Sequence, residues 1–283
     1  MRIHPFRARA GDARGHAHPR AQLLWLLPAS LIAAVLFGPS GEPTSGAMAM
    51  GRAGKAATPP PPIASTFRTL PPGSPLPSGA DCENWIRRSA WEPRPENQVA
   101  NHTTPEAVSL PAWGGVNPLA NTSLKPRIDG NFTGTTDEII QWASCKWGFN
   151  DNVTRAMATS ESWWVQSAKG DYETDQARCA AGYIAPCPTS FGLLQIKHYV
   201  HRGTYPHSAE STALNVDYAL GMQRVCYEGW LEYAHFPEDY RAGDRWGCVG
   251  FHYSGEWRDP AAIGYIRGVQ EYYRSKPWRE WEG

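Results

Sequence analysis

Six cysteines limit this chain more than any other feature. Cys82, Cys145, Cys179, Cys187, Cys226 and Cys248 all lie downstream of an apolar N-terminal stretch. An even number of cysteines behind an export-type segment points to disulfides rather than free thiols, so the fold must bring them together in pairs. None has CxxC spacing and no histidines cluster beside them, so no metal site is expected. Many pairings are open to six cysteines. The expected set joins Cys179 to Cys187, Cys226 to Cys248 and Cys82 to Cys145. Only the first has a reason in the sequence: "CAAGYIAPC" is a short Gly/Pro loop that needs a staple.

The export reading rests on residues 1–49. Met1–Arg20 carries several Arg and no hydrophobic run. Gln22–Gly38, "QLLWLLPASLIAAVLFG", lies between a signal-peptide core and a short membrane span in length. "AMA" at Ala47–Ala49 is a small-residue cleavage pattern. Residues 1–49 are therefore expected to be a signal peptide or a retained N-terminal membrane anchor. The remainder is expected outside the cell, at the cell surface or in the cell wall. Pro39–Ala80 is rich in Pro, Gly, Ser and Ala and cannot bury much apolar surface, which predicts a semi-extended linker over 50–80. Residues 81–134 hold Trp85, Trp91 and Trp113 among many Pro and Asn. An irregular extension packed on the following domain is expected there, pinned by Cys82. No internal repeat is visible.

Charge narrows the partners. The 27 basic and 27 acidic residues balance, which argues against a protein that grips nucleic acid through its phosphates. A neutral or mixed polymer such as a glycan stays open. The chain has 13 Trp and 12 Tyr. Most should fill the core, and some could stack on the flat apolar faces of sugars.

Helical signals begin at Thr135. In "TTDEIIQWASCKWG", Thr136 is the candidate N-cap, acids fill the first turn, and Ile139, Trp142, Ala143 and Lys146 share a stripe ahead of Gly148. "NDNVTRAMATSESWW" opens on an Asn/Asp cap, and Val153, Ala156, Met157, Ser160 and Trp164 recur at helical spacing. Glu161 lies one turn after Met157, near the helix end. "STALNVDYALGMQRVCYEGW" predicts the longest helix, with Val216, Ala219, Leu220, Gln223 and Cys226 on one face and Gly229 as the stop. "RDPAAIGYIRGVQEYYRSKP" has Asp259 as cap, Pro260 at the first helical position, and Ile263, Ile266, Val269 and Tyr273 inward. Strand signals are weak. A mainly α domain over 135–283 is expected.

Three segments carry chemistry together. They are "SES" at Ser160–Ser162, "TSFGLLQIKHY" at Thr189–Tyr199 and "ALNVDYALGMQRV" at Ala213–Val225. In this order they resemble the soluble lytic transglycosylase family, relatives of goose-type lysozyme. That family has a Glu-Ser pair at a helix end, then Gly-Leu-Met-Gln, then Asn-Ile leading a helix with an internal Gly. Here Glu161-Ser162, Gly192-Leu193-Leu194-Gln195 and Asn215-Val216 with Gly221 take those places. The resemblance covers about the last half of the chain. It implies a lysozyme-like α fold and cleavage of the β-1,4 bond between N-acetylmuramic acid and N-acetylglucosamine in peptidoglycan, with no cofactor. A monomer is expected.

Glu161 would then protonate the departing glycosidic oxygen. That role needs a carboxyl still protonated near neutral pH, which burial beside Met157, Trp163 and Trp164 could provide. Ordinary glycosidases add a second carboxylate, for which "GDYETDQ" offers Asp171, Glu173 and Asp175. In lytic transglycosylases the sugar's own 6-hydroxyl closes onto the anomeric carbon, and one Glu serves as acid and then as base. Ser162, Gly192, Gln195 and Tyr253 are candidate substrate contacts, and Asn215 is a candidate clamp for its helix. The family's late Ala-Tyr-Asn-Ala-Gly is absent. Phe251-His252-Tyr253-Ser254-Gly255 stands in, with Tyr253 or His252 near the acid. The interval from Glu161 to Gly192 is also longer than usual and holds the Cys179/Cys187 loop.

Two other functions remain compatible with the sequence. One is a non-catalytic glycan-binding module of the cell wall, and the other is hydrolysis of chitin-like polymers. Four Asn-x-Ser/Thr sequons, at Asn101, Asn121, Asn131 and Asn152, would suit a eukaryotic glycoprotein. The Arg/Ala/Gly/Pro-rich leader fits a GC-rich bacterial gene better, so the sequons are read as chance.

Overall fold

Side chains that cap the first turn decide where the helices of this chain begin. Residues 66–232 and 239–282 are described by the computed structural model, within the compact unit Lys55–Gly283. The export-type stretch, the "AMA" pattern and the first part of the linker lie outside the described residues. The helices are α1 (Gly79–Trp85), α2 (Gln98–Asn101), α3 (Thr136–Lys146), α4 (Asp151–Ser162), α5 (His207–Glu210), α6 (Thr212–Tyr227), α7 (Arg245–Ser254) and α8 (Pro260–Ser275). The strands are β1 (Lys169–Glu173), β2 (Cys187–Phe191) and β3 (Ile196–Lys197), antiparallel in the order β1-β2-β3. The described part is mainly helical, and no helix in it is long and apolar enough to cross a membrane.

The caps match the sequence closely, with one shift. Thr135, not Thr136, caps α3: its side chain accepts from Glu138 N while the Glu138 carboxylate accepts from Thr135 N. That reciprocal box satisfies two free donors of the first turn. Thr136 is inside the helix, where its hydroxyl accepts from Asn97 and Asn101. Asn150 caps α4, Ser211 caps α6, and Asp259 caps α8 ahead of Pro260.

Burial runs further round the helices than a single stripe. All of α3 is buried, as is α4 from Asp151 to Thr159 and all of α6 except Met222. Such enclosure demands partners for polar groups. Arg155 of α4 bonds Asp137 of α3 at 2.7 Å and Asp151 at 2.8 Å, with the guanidinium fully buried. In α6, Asp217 accepts from Lys146 Nζ, Trp147 Nε1 and the backbone of Asp129 and Gly130.

The stretch expected to be a free linker is bound to the domain from Thr66 onward. Thr66 and Phe67 donate their backbone N–H groups to Asp151. Arg224 donates to the carbonyls of Leu70 and Pro71, and Trp142 Nε1 donates to Gly79 O. A Pro-rich segment buries little apolar surface, but its unpaired backbone groups suit buried charged side chains. Residues 81–134 hold short helical turns rather than only irregular chain, and Cys82 pins them to Cys145 of α3.

All three disulfides join the expected partners: Cys82–Cys145, Cys179–Cys187 and Cys226–Cys248. The sheet is the element that the sequence did not announce. β1 reads "KGDYE" and β2 contains Pro188, both poor strand signals. Pairing sustains them: Lys169 faces Phe191 and Glu173 faces Cys187, while Cys179–Cys187 closes the connection. Pro188 is tolerated because β3 pairs only with Ser190 and Phe191. Among the sequons, Asn101 and Asn152 are buried and Asn121 is committed to Trp113, leaving Asn131 exposed.

Two stability outcomes are expected. Arg155→Ala should leave Asp137 and Asp151 buried without their cation and cost about 3–5 kcal/mol in denaturant unfolding. Removing Cys82–Cys145, which spans 63 residues, should cost about 4 kcal/mol, against about 2.5 kcal/mol for Cys179–Cys187, which spans 8. Equal midpoints for the two cysteine-pair deletions would contradict that order.

Candidate functional site

The last turn of α4 carries Glu161, and two left-handed residues end the helix behind it. Trp163 and Trp164 have φ of 53° and 66°, a backbone that bulky residues rarely adopt. Trp164 turns inward and donates Nε1 to Arg155 O and Thr159 Oγ1. Trp163 turns outward. The chain reverses there, and Glu161 is left at the edge of the core with its side chain 11% exposed.

Four elements meet at its carboxyl. From α8, Tyr265 donates its hydroxyl to Glu161 Oε1 at 2.5 Å. From α7, His252 Nε2 faces the same oxygen at 3.6 Å. From β1, the charge of Asp171 acts on the carboxyl. Oε2 has no hydrogen-bond partner among the described residues, so it is the oxygen available to a ligand.

The electrostatics keep a proton on Glu161. Burial pushes its pKa up to about 7; the Tyr265 hydrogen bond pulls the other way and the charge of Asp171 adds to the rise. No cation offsets this. His252 is held near a pKa of about 4, chiefly by burial and by the charge of Arg245, against a hydrogen bond to the Leu194 backbone. It is neutral at neutral pH. Tyr265 titrates well above its usual range because it is buried beside Glu161, so it stays a donor. Arg245 is itself buried, with its pKa lowered to about 9. It bonds Gln223 and stands 4.0 Å over the Phe149 ring.

Of the three acidic-loop candidates, the fold brings Asp171 to Glu161. Its φ of 51° directs the carboxylate to Ser190 Oγ at 2.7 Å and Lys197 Nζ at 2.9 Å. Partial burial raises its pKa, but those two hydrogen bonds and the Lys197 charge outweigh it, so the group stays ionised below the usual range. Glu173 instead pairs with Arg178 and Tyr199, and Asp175 caps the turn at Gln176–Arg178.

The "GLLQ" loop works mainly as a strut. Ser162 Oγ donates to Leu193 O. Gly192 is buried at φ 83°, and a Cβ there would strike the Asn215 amide and Ser208 O. Asn215 in turn accepts from Leu194 N and donates to Phe191 O and Ser208 O. Gln195 Nε2 is bonded to Ala168 O and Gly192 O. Gln166, which no motif marked, accepts from Leu193 N and donates to Ser208 O.

Tyr253 makes no hydrogen bond to Glu161 among the described residues; it stacks on Tyr265, centroids 4.7 Å apart. The sequence left His252 and Tyr253 as alternatives, and the turn of α7 puts His252 at the acid. Tyr265 was missed. Its one signal was position: an aromatic with a polar tip on the flank of the Ala262, Ile266 and Val269 stripe. Among the described residues no group of His, Cys, Asp and Glu could hold a metal ion.

A buried acid shows in stability. Below about pH 4.5 Glu161 is protonated folded or unfolded and costs nothing. As pH rises towards 7, the unfolded chain ionises first, so stability falls. Glu161→Gln lacks this penalty. The variant should match wild type at pH 4 and exceed it by up to about 3 kcal/mol at pH 8. Parallel stability curves for the two proteins would show that the carboxyl titrates normally.

No family model, no curated protein and no solved structure matches this chain.

Proposed function

We propose that the protein is an exported, lysozyme-like glycosidase of the lytic-transglycosylase type. Its substrate is the β-1,4 bond between N-acetylmuramic acid and N-acetylglucosamine in peptidoglycan. One observation carries the reading: Glu161 keeps a proton to about pH 7 while its Oε2 remains free. Three disulfides agree with an oxidising, extracellular setting.

In this reading Oε2–H of Glu161 donates to the glycosidic oxygen as the bond to the anomeric carbon breaks. Tyr265 holds Oε1 and so orients the acid. The carboxylate formed then takes a proton from the attacking hydroxyl. The attacker is the substrate's own 6-hydroxyl in transglycosylation and water in hydrolysis. Asp171, an ionised carboxylate, can stabilise positive charge at the anomeric carbon in either branch or activate water in the second. Lys197 and Ser190 occupy part of its acceptor capacity, which suits the stabilising role better than the base.

Zymography on peptidoglycan tests the assignment. Wild type should clear the gel and Glu161→Gln should not; equal clearing would end it. The rate should fall about tenfold per pH unit above about 7, as Glu161 loses its proton. Mass analysis of the fragments separates the branches, anhydro ends marking transglycosylation and reducing ends hydrolysis.

A further inference from the structure

We infer that Tyr253 and Trp163 are two stacking platforms for sugar rings of one glycan strand that runs along α8 past Glu161. The inference rests on the reading that the ligand is a glycan, but it concerns binding rather than bond cleavage.

Both rings are large, aromatic and open to solvent: Tyr253 is 57% exposed and Trp163 49%. Each is braced from behind. Tyr253 lies flat on Tyr265, interplanar angle 8°, so one face is covered and the other is free. Trp163 meets Tyr272 edge-on at 5.7 Å and Trp281 at 5.8 Å. Its backbone carbonyl accepts from Arg94 Nε at 2.7 Å. Neither the Tyr253 hydroxyl nor the Trp163 indole N–H has a hydrogen-bond partner among the described residues. A fixed ring with one open apolar face and a free polar tip is suited to a ligand that is itself flat, apolar on its faces and polar at its rim. A pyranose has that form.

The backbone at this point supports the same use. Trp163 and Trp164 are consecutive left-handed residues, and backbone of this kind clusters where function requires it. Its effect is to send one indole into the core and leave its neighbour outside.

Spacing sets the ligand's length. Tyr265 supports Tyr253 and bonds Glu161, while Tyr272 supports Trp163. Seven residues of α8 separate these two tyrosines. That is two turns on one face, or about 10 Å. The two supports are thus about two sugar units apart along α8, a spacing that matches neighbouring rings of one strand. The site therefore fits a chain of several sugars, and affinity should grow with chain length until Trp163 is reached. Of the groups at the acid, His252 and Tyr265 are neutral, Glu161 is about half protonated at pH 7, and the ionised Asp171 is paired with Lys197, so no unpaired cation calls for an anionic ligand and an N-acetylhexosamine strand suits the site.

Binding of N-acetylglucosamine oligomers to the full chain tests this. The background is Glu161→Gln, so that no probe is consumed, read by calorimetry and Trp fluorescence. Tetramer should bind at least about tenfold more tightly than dimer. Trp163→Ala should remove most of that gain and leave dimer affinity in place, and Tyr253→Ala should weaken both oligomers about tenfold. Trp163→Tyr and Tyr253→Phe should retain binding, which separates a lost platform from a damaged fold. Length-independent affinity, unaltered binding by both alanine variants, or no binding of any oligomer would overturn the inference. Oligomer binding as expected, with no clearing of peptidoglycan by the wild-type chain, would instead overturn the catalytic reading alone.

Discussion

The buried guanidinium of Arg155 is the interaction on which the site depends. It joins α3 to α4 through Asp137 and draws in the N-terminal strap through Asp151, which also accepts from Thr66 and Phe67. Burial disfavours its charge, but the two aspartates more than compensate, so the cation persists. The same residue ties the other end of the helix, since its carbonyl accepts from Trp164 Nε1. The direction of α4, the reversal at Trp163 and the position of Glu161 therefore share one anchor. A charged anchor is costly to bury and costlier to leave half paired, which makes the arrangement specific.

Around that anchor the loops act as struts. Ser162 holds the "GLLQ" loop through Leu193, and the same loop holds His252 through Leu194. Asn215 clamps the loop onto α6. Residues that a motif would assign to substrate thus spend their hydrogen bonds on one another. What they build is a dry wall around one carboxyl. No cation offsets the burial of Glu161: His252 is neutral, and Arg245 bonds Gln223 through Nη1, with Nε and Nη2 unpartnered among the described residues, without being among the groups that act on the carboxyl. Water exclusion without a counter-charge is what keeps the proton on Glu161.

Local features were legible where local physics decides them. Asn150 and Asp259 cap their helices because a short polar side chain reaches the first-turn N–H groups whatever lies beyond. Thr135 and Thr136 were harder to separate, since either could cap, and the reciprocal bond with Glu138 selects Thr135. The short Cys179–Cys187 loop was equally readable. The sheet was not, because "KGDYE" and "CPTSF" gain their extended form from each other and from the disulfide. The full enclosure of α6 was also hidden, because Asp217 and Arg224 look like a solvent face until their partners are known.

The sequence by itself determined the cysteine set, the main helix boundaries and a carboxyl at a helix end beside two indoles. Each follows from residues near one another in the chain. Tertiary structure alone decided that Tyr265 would grip Glu161 from 104 residues away, that His252 rather than Tyr253 would face it, and that Asp171 would be the carboxylate brought close. Those choices depend on how α4, α7, α8 and the sheet converge. The physical reason is that a pKa and a free oxygen are properties of an enclosure, and no single segment encloses anything.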